Sequence, residues 1–172
     1  MGAGYVAPNP MVGAVLVYND SIIGEGFHQQ YGQAHAEVNC INSVAKENKQ
    51  FIEKSTLYVS LEPCAHFGKT PPCADLIIKN NIPAVVIGCR DSYNEVNGKG
   101  IEKLITAGVD VTAGILENEA MALNKRFFTF HQQQRPYIIL KWAQSSDKKI
   151  AATGKERIFI SNACSNRTVH QW

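Results

Sequence analysis

Three stretches, His35-Ala36-Glu37, Leu61-Glu62-Pro63-Cys64 and Pro71-Pro72-Cys73, decide how the rest of this 172-residue chain is read. One histidine and two cysteines form a three-ligand set for zinc, the number a catalytic site uses when it keeps a fourth position open. Glu37 stands two residues after the histidine, where its carboxyl can pass protons to and from a water. A lone histidine or cysteine would read as a core residue. Together with Glu37 and the flanking prolines, His35, Cys64 and Cys73 predict a zinc site with one ion per chain. A closed structural site would need a fourth protein ligand, for which His66 is the candidate near in sequence.

The elements on either side place these residues. Val38, Ile41, Val44 and Ala45 recur at helical spacing and predict a helix over 36–47, with His35 and Glu37 at its start. The free N–H groups of a helix start favour a thiolate or a carboxylate. Thr56 to Leu61, rich in β-branched and aromatic residues, predicts a strand that delivers Cys64 at its C-terminal end. Pro72 suits a first helical turn, so Cys73 is expected at the start of a second helix carrying Ala74, Leu76, Ile77 and Ile78.

Upstream, Met11 to Val17 is a near-continuous apolar run, Tyr18-Asn19-Asp20-Ser21 a turn, and Ile22 to His28 the returning strand of a hairpin. Downstream come a strand over Ala84 to Cys89, a helix over Gly100 to Ala107, a strand over Val109 to Ala113 and a helix over Glu117 to Phe130. His131 to Pro136 reads as a linker, and Tyr137 to Trp142 as a strand beyond it. Alternating strands and helices predict an α/β sandwich. Ligands gather outside the carboxyl ends of strands in such sheets, which is where Cys64 and Asp91 fall.

Composition narrows the partners. A 45% hydrophobic content with 19% charged residues supports an ordinary globular core. A net charge of +2, with no long run of like charges, argues against nucleic acid. No apolar stretch is long enough to span a bilayer and no signal peptide is visible, so a cytoplasmic location is expected and no membrane partner. Five cysteines, an odd number, speak against a disulfide framework, and Cys40 and Cys89 read as buried thiols.

His35-Ala36-Glu37 followed by Pro63-Cys64 resembles the zinc deaminases, whose pattern is H-x-E and then P-C-x-x-C. Here residues 65–72 separate the two cysteines. The motif Glu-Pro-Cys-x-His-x-Gly-Lys-Thr-Pro-Pro-Cys over 62–73 resembles the deaminase half of the bifunctional riboflavin-biosynthesis deaminase/reductase. So do Pro8-Asn9-Pro10-Met11-Val12-Gly13, Arg90-Asp91 and Val96-Asn97-Gly98-Lys99-Gly100, and the similarity runs through nearly all of 8–125. The chain departs from that family in lacking a helix before Pro8, and in carrying Ser92-Tyr93-Asn94 where the family has Pro-Asn-Pro.

The resemblance implies a three-layer α/β/α sandwich of the cytidine-deaminase type with a central mixed sheet. It implies a deaminase domain over 1–130, then a linker and the incomplete beginning of a reductase domain over 131–172. Lys141 to Asp147 resembles the opening of that reductase half, with Lys148 where the family has glycine. NADPH belongs to a full-length reductase half; with no glycine-rich dinucleotide loop and too few residues for a nucleotide-binding domain, no reductase activity is expected.

The implied reaction is hydrolytic loss of the 2-amino group of 2,5-diamino-6-(5-phosphoribosylamino)pyrimidin-4(3H)-one, with Glu37 as the proton carrier. Residues alone reach only zinc-dependent deamination of a small aminated heterocycle. Asn9, His28, His66, Lys69 and Asp91 are the expected substrate contacts, the lysine suiting a phosphate. Two other readings stay open: a deaminase of cytidine, deoxycytidylate or a base in RNA, and an inactive zinc-binding fragment or interaction module. A homo-oligomer is also left open, since a partner chain could cover exposed faces.

Overall fold

Asn19 and Asp20 both take positive φ, 47° and 59°, the mirror-image turn whose twist matches a two-residue hairpin. They join β1 (Gly13–Tyr18) to β2 (Ser21–Phe27). The computed structural model describes residues 2–68, 70–93, 95–151 and 159–170, so Lys69 and Asn94 lie outside the described residues. With β3 (Thr56–Leu61), β4 (Ala84–Cys89) and β5 (Asp110–Ala113) the hairpin forms a five-stranded sheet in the order β2-β1-β3-β4-β5. β1 runs antiparallel to β2 and β3, whereas β3, β4 and β5 are parallel. Parallel neighbours need a crossover, and the two here carry helices α2 (Cys73–Lys79) and α3 (Lys99–Thr106). The mixed sheet is the expected one.

Alternation along the strands sends Leu16, Leu57, Val59, Val85 and Ile87 to one face. There they pack on Cys40 of α1 (Ala36–Ser43), on Ala74 and Ile77 of α2 and on Leu104 of α3. Each such leucine or isoleucine taken fully from water contributes about 1.5–3 kcal/mol. Gly26 allows α1 to lie directly on β2, because a Cβ there would collide with the Cys40 amide. The opposite layer is α4 (Glu117–Leu123) and α5 (Lys125–Gln133). Ala120 of α4 sits over Gly88, and Phe128 of α5 packs with Leu61 and Cys89. Tyr58 remains 42% exposed, so this layer covers the sheet near its carboxyl end and not throughout.

Several expected boundaries move for identifiable reasons. The helix expected over 36–47 ends at Ser43, and the chain continues as a 3-10 segment, Lys46–Lys54, whose Phe51 stacks on Tyr18 with ring centroids 4.5 Å apart. The single helix expected over 117–130 is broken at Asn124 (φ −120°, ψ 38°). The Asn124 carboxamide is turned to a distant backbone: its Oδ1 accepts from Met11 N (2.7 Å) and its Nδ2 donates to Met11 O (2.8 Å). Asparagine readily gives up helical geometry for such bonds. α5 then runs through residues 130 and 131 to Gln133, so His131 is helical and not part of a linker.

The chain forms two compact units, Met1–Tyr137 and Ile138–Trp172. Every element above belongs to the first. Among the described residues, the strand expected over Tyr137–Trp142 is not formed: no described strand pairs with residues 138–142, and a strand is held only by a neighbour's ladder. The second unit contains, among the described residues, α6 (Ala163–His170) and a turn in which Lys148 N donates to Ser145 O. Lys148 there takes φ 63°, the left-handed conformation a glycine adopts without strain. Among the described residues no helix is long and apolar enough to cross a membrane.

Candidate active site

Three segments converge at the carboxyl end of β3. His35 is the extended residue before α1 (φ −72°, ψ 167°), and its carbonyl accepts from Asn39 N at 3.1 Å. The Asn39 side chain donates to Phe27 O at 2.8 Å and so pins the start of α1 to the end of β2. Cys64 leaves β3 through Pro63 and is held twice by the first turn of α2. Ala74 N donates to the Cys64 carbonyl (3.1 Å), and Cys73 N donates to its sulfur (3.3 Å). A helix start pointing at sulfur favours the thiolate.

The donor atoms form a tight triangle. His35 Nδ1 lies 3.6 Å from Cys64 Sγ and 3.3 Å from Cys73 Sγ, and all three atoms fall within 4.8 Å of one another. With Zn–S near 2.3 Å and Zn–N near 2.0 Å, a tetrahedral ion sets nitrogen and sulfur about 3.6 Å apart. The residues therefore fit zinc. Among the described residues His66 is not part of this cluster, so the set has three protein ligands, as an open site requires.

Charge is distributed unevenly over the triangle. The hydrogen bond from Cys73 holds the Cys64 thiol down at about 4 despite burial, helped by His35 and by the Cys73 amide. Cys73, whose proton that bond uses, is pushed up. His35 is raised by its hydrogen bond to Cys64, against the effect of burial. Glu37 is 4% exposed, and burial raises its carboxyl above the ordinary carboxylate range. A carboxyl drawn toward neutrality can both accept and return a proton.

A cavity of about 280 Å³ opens beside the triangle. Asn9, His28, His35, Glu37, Cys64, His66 and Asp91 line it, with Tyr93 and Phe127. The structure thus brings every sequence-predicted site residue to one place apart from Lys69, outside the described residues, and Cys73, buried beneath as a corner of the triangle. His28 Nδ1 donates to Ala34 O (3.0 Å), which leaves Nε2 to accept from Asn9 Nδ2 (3.3 Å). Burial lowers the His28 pKa, consistent with that neutral tautomer.

Asp91 is 7% exposed, and its Oδ1 accepts from Tyr93 N at 2.7 Å. Burial lifts its carboxyl to about 6, although the Tyr93 bond opposes this. His66 Nδ1 is buried without a hydrogen-bond partner among the described residues. The Tyr93 ring meets both His66 (6.0 Å between centroids) and His131 (5.3 Å) edge-on, and His131 also packs on Phe127 (4.4 Å). Where the family has Pro-Asn-Pro, this chain thus places the Tyr93 ring among the cavity's lining residues.

Motif reading passed over two buried polar side chains that frame the cavity. One is Asn124, which ties the segment after Asn9 and Pro10 to the α4–α5 junction. The other is Glu62, 3% exposed, whose carboxylate accepts four backbone N–H groups. Glu62 opens the motif over 62–73, but nothing local to it marks the four backbone groups it holds. For Asn124 there was no signal.

Comparison with known proteins gives consistent matches. The family described as "Cytidine and deoxycytidylate deaminase zinc-binding region" matches residues 2–89. The riboflavin biosynthesis protein RibD of Aquifex aeolicus is 46% identical over 167 residues, 97% of this chain and 46% of that protein. The diaminohydroxyphosphoribosylamino-pyrimidine deaminase of Buchnera aphidicola (subsp. Schizaphis graminum) is 44% identical over 128 residues, 74% of this chain and 84% of that protein. The solved structure of Acinetobacter baumannii RibD, form 1, superposes with a TM-score of 0.91 at 40% identity, covering 98% of this chain and 46% of that one. The chain thus spans about half the length of the RibD proteins it matches.

Proposed function

The chain belongs to the zinc-binding cytidine and deoxycytidylate deaminase family, and from that premise we propose that its first unit hydrolytically removes the 2-amino group of 2,5-diamino-6-(5-phosphoribosylamino)pyrimidin-4(3H)-one, a step of riboflavin biosynthesis. One observation carries the chemistry: the His35–Cys64–Cys73 triangle and the buried Glu37 carboxyl border one small cavity. The substrate is supported by the similarity to the Buchnera deaminase and by the long inter-cysteine segment.

His35, Cys64 and Cys73 would hold zinc, which would supply Lewis-acid activation of water. Glu37 takes the first proton of the attacking water and passes it to the ring nitrogen, then takes the second from the hydroxyl left on the tetrahedral carbon and gives it to the amine, which departs as ammonia as the C–N bond breaks and the carbonyl forms. Burial keeps that carboxyl close enough to neutrality for both transfers. His28, neutral and fixed by Ala34, orients Asn9, whose remaining amide hydrogen and oxygen can pair with a heterocycle edge. Asp91 offers a carboxyl on the facing loop, His66 an unpartnered ring nitrogen, and Lys69 a charge suited to phosphate. A cytoplasmic location belongs to the same reading, supported by five unpaired cysteines, two of them needed as thiolates.

The test is ammonia release by the zinc-loaded chain, with the phosphorylated diaminopyrimidinone and cytidine run side by side. Release from the pyrimidinone is expected. Release from cytidine alone, or from neither, would overturn the substrate assignment.

A further inference from the structure

α3 begins without a cap of its own: Gly98, at its N-terminal boundary with φ 89°, has no side chain to satisfy the free N–H groups of the first turn. The partner comes from 36 residues away. Glu62 Oε1 accepts from Gly100 N (3.0 Å) and Ile101 N (3.3 Å), and Oε2 accepts from Gly98 N (3.0 Å) and Asp91 N (3.2 Å). One oxygen therefore holds both Asp91 and Gly98, and the other holds the helix that follows. Gly100 makes this possible, because a Cβ there would run into the Pro63 carbonyl oxygen.

Asp91, Tyr93 and Val96 line the cavity, and Tyr93 carries the ring contacts to His66 and His131. Glu62 reaches Asp91 and Gly98 from the strand end that delivers Cys64, so these residues and the metal ligand are set against each other through a single buried carboxylate. Such a group, accepting four charge-assisted bonds, has a geometry no neutral side chain of the same size can supply.

We propose that Glu62 is a positioning residue that fixes Asp91 and Gly98, and with them the cavity-lining Tyr93 and Val96, and so governs substrate affinity without belonging to the metal triangle. The kinetic part of this rests on the deaminase reading above; the structural part does not. In Glu62→Gln one oxygen becomes an NH₂ facing backbone donors, so two of the four bonds are lost and replaced by opposed donors.

The experiment compares wild type, Glu62→Gln and the control Glu102→Gln, which removes an exposed carboxylate from the same helical turn. Zinc content, amide hydrogen exchange and steady-state kinetics are read for each. Glu62→Gln is expected to keep one zinc per chain and to exchange the Asp91, Gly98, Gly100 and Ile101 amides about 100-fold faster, as loss of two hydrogen bonds at about tenfold each would do. KM should rise by up to about 100-fold, the scale of a displaced positioning group, with kcat falling far less. A fall in kcat alone, loss of zinc with exchange unchanged, or the same behaviour in Glu102→Gln would overturn the proposal. If Glu62→Gln does not fold, exchange in the wild type decides: the four amides must be protected and open together, and separate, loop-like exchange refutes the clamp. Absence of ammonia release from the wild type, with the four amides protected, would strike the deaminase reading and leave the clamp standing.

Discussion

Asp91 is held in a state that works against folding, and replacing it should show this directly. Its carboxyl is almost fully buried, beside the Glu62 carboxylate, and is lifted from an ordinary 3.8 to about 6. A raised carboxyl binds its proton more tightly folded than unfolded, so its favourable contribution is complete below about pH 4 and is lost as pH rises through about 6. The full difference is about 3 kcal/mol, of which roughly 1.4 kcal/mol falls between pH 5 and pH 7.5. Asp91→Asn has nearly the same shape, keeps an oxygen for Tyr93 N, and carries no charge at any pH. Urea unfolding of both proteins, measured in parallel from pH 5 to 7.5, should show the variant gaining stability relative to wild type by that amount as pH rises. The nearby Cys64 thiolate is the smallest contributor to the lift, so the trend should survive metal loading. A stability difference that stays flat with pH, or that shrinks as pH rises, would refute the argument from burial. The accompanying expectation is that Asp91→Asn binds the pyrimidinone more weakly, since a costly buried charge at a cavity wall is where stability is exchanged for function.

Other substitutions separate the metal, the proton carrier and the scaffold. Glu37→Gln should retain one zinc per chain by metal analysis while ammonia release falls by about 10²–10⁴-fold; full turnover would remove Glu37 from the mechanism. Cys73→Ser should lose zinc from dialysed protein, because it takes one of two sulfur corners from the triangle, and retention of stoichiometric metal would refute that ligand set. Asn124→Ala leaves Met11 N and Met11 O unpaired behind Asn9 and Pro10, and should lower unfolding stability by about 1–3 kcal/mol. An Asn124→Ala variant with unchanged stability would show that the junction is not held by that side chain.

Local pattern was enough wherever one segment makes its own structure. β3 and β4 lie where their β-branched runs placed them, and the hairpin turns at Asn19 and Asp20 as their residue types demand. His35, Glu37, Cys64 and Cys73 were legible because metal chemistry restricts residue type and spacing, and the positions that follow a strand or open a helix are visible in the chain itself. The misses are where a long-range bond overrode local preference. The helix over 117–130 was sound in periodicity, but Asn124 breaks it to serve Met11, 113 residues away. His131, polar and close to Pro136, had the look of a linker, yet helix packing on Tyr93 and Phe127 keeps it ordered in α5. The apolar run 138–142 had strand composition, but among the described residues no neighbouring ladder holds it as a strand.

The sequence by itself determined the sheet's alternation with helices and singled out His35, Cys64, Cys73 and Glu37, which the fold groups together, since periodicity and the side chains able to hold a metal or move a proton are visible in the chain. Only the tertiary structure decided the shape of the cavity. Its walls are tied by Glu62 to Asp91 and Gly98 and by Asn124 to the segment after Asn9, through bonds to backbone N–H and C=O groups. Every residue but proline carries both groups, so no residue identity marks the far end of such a bond in advance.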